Sequence, residues 1–213
     1  MIKKIIRSLI PPIIYKFLSY IKKLKKYDQN KLFDGNDDLF KNSFSQDDIY
    51  GEYGCGQSTI WVSKKFNITI YSVESDRFWK KKISNKVKKE NCIIYYANIG
   101  VVGDWGKPIN YERESYFCNY TDWIWQQKHK PSVILIDGRF RVCSFLTSLI
   151  HAKAGSKILF DDYNDRQQYH YIEKYIKPIK KNKRQSLFIV PEKKDLQIEK
   201  IKKSIEKFRY VFD

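Results

Sequence analysis

A short turn between a predicted strand and a predicted helix, at residues 48–59, constrains the fold of this chain more than any other feature. The turn contains an acid, two spaced glycines and two hydroxyl residues, in the order Glu52, Gly54, Gly56, Ser58 and Thr59. Glycine allows a backbone to approach a ligand closely, and the first N–H groups of a helix are free to bind one. The pattern predicts a ligand site where the strand passes into the helix. A turn of the same composition without a ligand is the alternative.

A second acid lies fifteen residues after Thr59, where the next predicted strand, 68–74, ends on Glu74. A carboxylate in that place can accept both hydroxyls of a ribose. The spacing differs from a dinucleotide-binding fingerprint, because Thr59 stands where that pattern has its third glycine. The two segments together predict binding of a nucleoside cofactor.

Predicted strands and helices alternate through residues 48–213. The strands are expected at 48–53, 68–74, 92–99, 132–136, 157–160 and 185–190. The helices are expected at 57–66, 77–90, 113–128, 139–154, 166–176 and 195–208. Such alternation predicts an α/β fold with a Rossmann-like, doubly wound and mostly parallel sheet, whose ligands bind beyond the carboxyl ends of the strands. Residues 28–47 are polar and predict a linker or surface loop, which separates 48–213 from a first unit at 1–27.

The composition fits one folded domain. The chain has 213 residues, of which 42% are hydrophobic and 16% aromatic, enough for a sizeable core. Its four cysteines are far apart and form no C-x-x-C pair: Cys55, Cys92, Cys118 and Cys143. This spacing disfavours a zinc site and favours a reducing, cytoplasmic setting.

The first 27 residues are a separate, basic unit. Apolar residues recur in 2–26 at three- and four-residue spacing with lysines between them, which predicts an amphipathic helix interrupted at Pro11 and Pro12. No apolar run approaches the roughly 20 residues that span a bilayer. Two interpretations stay open. The helix binds the anionic inner face of a membrane, which makes the protein peripheral, or it packs on the domain or on a second copy in a homo-oligomer.

The formal net charge of +17 has two explanations as well. It indicates an anionic partner, either a membrane surface, a nucleic acid or an acidic glycan. Alternatively, it reflects a general bias of the composition toward lysine.

Acidic residues also follow the fourth and fifth predicted strands. Asp137 comes directly after 132–136, and Asp161 and Asp162 come directly after 157–160. The carboxyl ends of parallel strands lie at one edge of a sheet, so these acids are expected near Glu52 and Glu74. Neighbouring carboxylates repel, and at least one should bind a cation, pair with an arginine or hold a proton.

The E-x-G-x-G-x-S-T pattern resembles motif I of class I S-adenosylmethionine (SAM)-dependent methyltransferases. This resemblance implies a class I methyltransferase fold with SAM as cofactor. It implies that Glu74 holds the ribose and that Asn98 contacts the adenine edge. The remaining residues expected to line SAM are Glu52, Gly54, Gly56, Ser58, Thr59 and Asp137.

Three further segments, 102–108, 133–143 and 158–169, look like those of a little-characterised bacterial group of methyltransferase-like proteins. Members of that group often look like products of surface-polysaccharide gene clusters. The resemblance implies methylation of an oxygen on a glycan, a sugar or a related small acceptor.

The strand ends are also similar to those of cation-dependent O-methyltransferases, in which such acids hold Mg²⁺. The matching positions here are Asp137, Asp161 and Asp162, which makes Mg²⁺ a candidate ligand. This chain has Asp-Asp where that family has Asp-Asn.

The remaining predicted roles concern the acceptor. Asp137 or Asp162 is positioned to act as the general base, and Arg166 joins them in the predicted catalytic set. The residues expected to contact the acceptor are Trp105, Arg139, Arg141 and Tyr163. Trp105 could stack on the adenine or on a sugar face, and the alternative is that its ring seals the core. Two other functions stay open: a nucleic-acid methyltransferase, suggested by the charge, and a non-catalytic docking subunit.

Overall fold

The computed structural model of the protein describes residues 32–33, 37–87 and 89–213. Seven strands occupy this part of the chain: β1 Ile49–Tyr53, β2 Thr69–Glu74, β3 Cys92–Tyr96, β4 Val133–Ile136, β5 Lys157–Phe160, β6 Lys180–Asn182 and β7 Gln185–Ile189. Six α-helices accompany them: α1 Asp38–Lys41, α2 Gln57–Lys65, α3 Arg77–Ser84, α4 Cys118–Gln126, α5 Arg141–His151 and α6 Ile198–Phe208. The predicted amphipathic helix of residues 1–27 lies outside the described residues.

The strands form one sheet in the order β3-β2-β1-β4-β5-β7-β6. β3, β2, β1, β4 and β5 are parallel, whereas β7 runs antiparallel to β5 and to β6. The predicted Rossmann-like, mostly parallel sheet is confirmed. The strand order reverses between β1 and β4, and ligands of open α/β sheets bind beyond the carboxyl ends of the strands at such a point.

Both faces of the sheet are covered, which explains the unbroken apolar run of β4. Ile134 and Ile136 belong to the apolar cluster that includes α5 and α6, whereas Val133 and Leu135 belong to the cluster on the opposite face. Successive residues of a strand point to opposite faces, so a strand buried on both sides has no polar alternation.

The described part of the predicted linker or surface loop, residues 32–33 and 37–47, differs from that prediction. Phe33, Leu39 and Phe40 are buried, and the Phe40 ring lies 6.0 Å from the Tyr50 ring. The short helix α1 therefore covers part of one sheet face, although most residues around it are polar.

The segment predicted as a helix at 166–176 forms a 3₁₀ helix at Gln167–Lys174 instead. Its buried side chains, Tyr169 and Ile172, are three residues apart, the spacing that a 3₁₀ helix places on one side. The edge strand β6 was not predicted, because its three residues are polar and largely exposed. Helix α3 also ends at Ser84, earlier than the predicted residue 90.

Helix α5 begins two residues later than predicted, because Phe140 has a left-handed backbone with φ of 52°. Phe140 provides no side-chain cap, and the cap comes from Asp213 at the far end of the chain. The Arg141 amide donates to Asp213 Oδ1 at 2.7 Å. Phe212 packs beside it against Phe117 and Phe140. The 210–213 segment is thereby attached to the loop that follows β4.

Within the described ranges, the structure has no helix that is both long enough and apolar enough to pass through a bilayer.

Candidate functional site

The turn after β1 touches the turn after β4 at the point where the strand order reverses. Gly54 has φ of +89°, and its amide donates to the Val73 carbonyl oxygen at 2.9 Å. A Cβ atom on Gly54 would lie 2.8 Å from Gly138 Cα. By contrast, a Cβ on Gly56 would have no atom of the described residues within 4 Å. The two glycines therefore serve different purposes: Gly54 permits contact between the turns, and Gly56 borders open space.

The acid of the turn faces inward. Glu52 is fully buried, and the Ser58 and Thr59 hydroxyls at the start of α2 donate to its carboxylate. Burial raises the pKa of Glu52, and the hydroxyl donors oppose that rise. Hydrogen bonds from within the protein therefore occupy both carboxylate oxygens of Glu52, although the sequence predicted that Glu52 would line a cofactor.

The acid at the end of β2 is placed differently. One oxygen of Glu74, Oε1, accepts hydrogen bonds from the amides of Ser75 (2.7 Å) and Asp76 (2.9 Å). The other oxygen, Oε2, has the Cys55 thiol at 3.6 Å, a weak donor. Burial raises the pKa of Glu74 to about 7, against the lowering effect of those amides. Glu74 therefore faces the glycine turn with one oxygen that can accept strong hydrogen bonds.

The loop after β3 lies beside Glu74. The Ser75 hydroxyl donates to the Gly106 carbonyl oxygen at 2.8 Å, which attaches this loop to the end of β2. Trp105 is 74% exposed and has φ of 62°, so it does not seal the core. Asn98 is exposed at the start of the same loop, where its Oδ1 accepts from the Gly100 amide at 3.4 Å. A bulky residue in the left-handed region is strained, and such strain concentrates at functional sites.

One buried arginine joins the ends of β4 and β5. The Arg141 Nη2 atom lies 3.1 Å from Asp137 Oδ1, and Nη1 lies 3.2 Å from Asp162 Oδ2. The same guanidinium donates to the carbonyl oxygens of Asp137, Gly138 and Asp161. The guanidinium has five N–H donors, and these five contacts with the protein use all of them. This arrangement differs from the predicted contact between Arg141 and a substrate.

A second arginine, Arg184 from the turn between β6 and β7, pairs with Asp161. Its Nε lies 3.0 Å from Asp161 Oδ1, and Nη2 lies 2.5 Å from Oδ2. The Gln185 amide also donates to Oδ1, at 2.9 Å. Sequence reasoning missed Arg184 and Gln185, because the turn that carries them has no recognisable motif.

The predicted magnesium site does not fit these contacts. Both Asp161 oxygens are bound by Arg184, and one oxygen each of Asp137 and Asp162 is bound by Arg141. Across the described part of the chain, no three His, Cys, Asp or Glu side chains are grouped so that they could hold a metal ion. The charge repulsion expected between the carboxylates is instead relieved by pairing with arginine.

Asp137 keeps part of its side chain at the surface. It is 31% exposed, and Arg141 binds only its Oδ1. Burial, followed by the charge of Asp161, raises the pKa of Asp137, whereas Arg141 lowers it. A partly exposed carboxyl group with a raised pKa is a stronger base than an ordinary one, which suits it to accept a proton.

The remaining predicted site residues lie in different environments: Tyr163 and Arg139 were expected to contact the acceptor, and Arg166 to take part in catalysis. Tyr163 is fully buried, and its hydroxyl donates to Glu173 at 3.0 Å, so the ring belongs to the core and differs from the predicted acceptor contact. The Arg139 Nη1 atom donates to the Asp213 carbonyl oxygen at 2.6 Å. Arg166 is 43% exposed and lies 2.7 Å from Asp162 Oδ2. Of these three residues, Arg166 is the most open to an acceptor.

Comparisons with known proteins agree with this architecture. No protein-family model matches the chain, and no curated protein is significantly similar to it. A methyltransferase-like protein from Silicibacter pomeroyi is 25% identical, with a TM-score of 0.72, over 81% of this chain and 92% of its own. A putative O-methyltransferase from Klebsiella pneumoniae is 14% identical, with a TM-score of 0.51, over 89% of this chain and 95% of its own. The chain therefore has the Rossmann-like fold of class I methyltransferases.

Proposed function

We propose that the protein is a SAM-dependent methyltransferase that methylates an oxygen of a sugar, a glycan or a related small acceptor. The observation that carries the proposal is Glu74, a buried carboxylate at the end of β2 whose Oε2 faces the glycine turn and, among the described residues, has only the weakly donating Cys55 thiol as a partner. The methyltransferase fold and the similarity to the Silicibacter pomeroyi protein support it.

The residues at the carboxyl ends of β1 and β2 fit such a cofactor. Glu74 would hold the two ribose hydroxyls, and the open space at Gly56 would admit the methionine part. Trp105, exposed beside Glu74, offers an aromatic face for stacking. SAM supplies an electrophilic methyl group on a positively charged sulfur.

Asp137 is the residue that we assign to the proton of the acceptor hydroxyl. Its Oδ2, which accepts no hydrogen bond from the described residues, and its raised pKa suit a general base, and Arg141 fixes the orientation of the carboxylate through Oδ1. Most of the rate enhancement would come from aligning the acceptor oxygen with the methyl group. Arg166, exposed at the end of β5, would bind the acceptor.

The experiment that tests this function is calorimetric titration of the purified protein with S-adenosylhomocysteine. Micromolar binding that disappears in Glu74→Ala is expected. Asp137→Asn provides the matched control, because it should remove turnover but keep S-adenosylhomocysteine. Absence of binding to the wild-type protein would contradict the proposal and favour a non-catalytic docking role.

The affinity for S-adenosylhomocysteine should rise with pH. In the free protein, burial raises the pKa of Glu74, so the protonated carboxyl group stabilises the fold. This contribution is present at low pH and is lost as the pH rises through about 7. Ribose hydroxyls donate to the ionised carboxylate and therefore favour the charged form. We expect about tenfold tighter binding at about pH 8 than at about pH 6, with a proton released on binding. Calorimetry in buffers of different ionisation enthalpy measures both effects, and Glu74→Gln should bind weakly without the pH dependence.

Association of residues 2–26 with an anionic membrane is a separate proposal, supported by the basic amphipathic pattern. Sedimentation with vesicles that contain an anionic lipid tests it. The complete chain should sediment, and a chain without residues 2–26 should stay in solution. Equal sedimentation of both would contradict the proposal.

A further inference from the structure

Four hydroxyl groups surround the buried carboxylate of Glu52. They come from β1, from β2 and from the first turn of α2. The Tyr50 hydroxyl donates to Oε1 at 2.9 Å, and the Ser72 hydroxyl donates to Oε2 at 3.0 Å. Ser58 donates to Oε1 and Thr59 to Oε2. Each carboxylate oxygen thus has two donors, and the side chain has no exposed surface.

Thr59 also connects this carboxylate to the backbone of the glycine turn. Its Oγ1 atom accepts a hydrogen bond from the Gly56 amide at 2.8 Å. A threonine hydroxyl has one proton, which Thr59 gives to Glu52, and a free lone pair, which accepts the amide proton. The Gly56 amide is therefore directed into the protein and not toward the open space beside this glycine.

We infer that Glu52 and Thr59 are positioning residues, which hold the glycine turn in its ligand-accepting shape through the Gly56–Thr59–Glu52 relay and do not contact the cofactor. The inference rests on the proposed function for the identity of the ligand. An ionised acceptor makes the hydrogen bonds of a relay stronger than a neutral one does. A buried carboxylate in contact with three elements therefore fixes α2 and the turn relative to the sheet.

The relay predicts a measurable change at one amide, with or without a ligand. Thr59→Val keeps the shape of the side chain but removes the partner of the Gly56 amide. Hydrogen exchange followed by NMR should show that this amide exchanges about fivefold faster, the factor expected for loss of one hydrogen bond. Thr59→Ser, which keeps the hydroxyl, should restore the slow exchange. Unchanged exchange at Gly56 in Thr59→Val would overturn the inference.

The same variants separate positioning from direct contact. Thr59→Val should bind S-adenosylhomocysteine about tenfold more weakly, and Thr59→Ser should bind it like the wild type. Glu52→Gln should also weaken binding, and the Glu52→Gln/Thr59→Val double variant should lose no more than the weaker-binding single variant, because both act through one relay. Additive losses would mean that each side chain contacts the ligand separately, which would overturn the inference.

Ser148→Ala is the control for a general loss of stability. Ser148 is fully buried in α5, where its hydroxyl donates to the Ser144 carbonyl oxygen at 2.7 Å. It should leave both Gly56 exchange and ligand affinity unchanged. If Thr59→Val does not fold, Glu52→Gln gives the same test, since it should also speed exchange at Gly56. A wild-type protein that fails to bind S-adenosylhomocysteine would contradict the proposed function, but the exchange measurement would still decide the relay.

Discussion

Gly138→Ala is expected to destabilise the fold more than any other single-methyl addition at the site. A Cβ at Gly138 would lie 1.9 Å from Tyr120 Oη, 2.7 Å from the Tyr53 carbonyl carbon and 2.8 Å from Gly54 N. Two of these atoms are backbone atoms of β1 and its turn, which cannot rotate away. The cost should exceed the roughly 1–3 kcal/mol of ordinary core overpacking, a large share of the roughly 5–15 kcal/mol that stabilises a domain.

Chemical denaturation measures this effect, and Gly56→Ala is the matched control. Gly56 has an extended backbone with φ of −172°, and its added Cβ would meet nothing within 4 Å. Gly56→Ala should therefore unfold at the wild-type denaturant concentration but bind S-adenosylhomocysteine at least about tenfold more weakly, since the methyl group enters the open space. A wild-type midpoint for Gly138→Ala would contradict the contact between the two turns.

Gly54 and Gly56 show how much of the site can be predicted from the sequence alone. The spacing of Gly54 and Gly56 was enough to predict the turn after β1 and its position at the carboxyl end of the sheet. The separate purposes of the glycines depend on Gly138, which is 84 residues away from Gly54 in the chain. Contacts between distant turns leave no periodic pattern in a sequence, so they appear only in the folded structure.

The strands and helices were likewise predictable only where the sequence carries a local pattern. Strand β4 was predictable because its unbroken apolar run indicates burial on both sides of the sheet. The edge strand β6 is polar, and α1 consists of four residues, so neither has a period to detect. The cap of α5 was equally hidden, because Asp213 reaches it from the other end of the chain.

The acidic strand ends illustrate a partial success. Asp137, Asp161 and Asp162 were expected to lie together, and they do lie around Arg141. Repulsion between them required a cation, an arginine or a proton, and arginine fills that need. Which arginine pairs with these carboxylates depends on the tertiary structure. Arg141 is buried among the acids, whereas Arg184 comes from a turn that the sequence does not mark.

Removing the buried guanidinium group of Arg141 should therefore lower the free energy of unfolding far more than removing that of the exposed Arg166. Arg141→Gln removes the partner shared by Asp137 and Asp162 while both stay at the ends of buried strands. Breaking a buried ion pair by removing one partner costs about 3–5 kcal/mol. Arg166→Gln is the matched control: it removes a 43% exposed arginine from the same Asp162 and should cost at most about 1 kcal/mol.

The loss of unfolding free energy in Arg141→Gln should also depend on pH, and the contacts of Arg141 determine the direction of that dependence. Arg141 lowers the pKa values of Asp137 and Asp161 in the folded protein, and its removal lets them rise further. A carboxyl group with a raised folded pKa contributes stability at low pH that is lost as pH rises through that pKa. Urea unfolding should consequently show a larger difference between wild type and Arg141→Gln at about pH 8 than at about pH 5. A difference that is small, or that grows as the pH falls, would mean that Arg141 does not hold the ends of β4 and β5 together through these carboxylates.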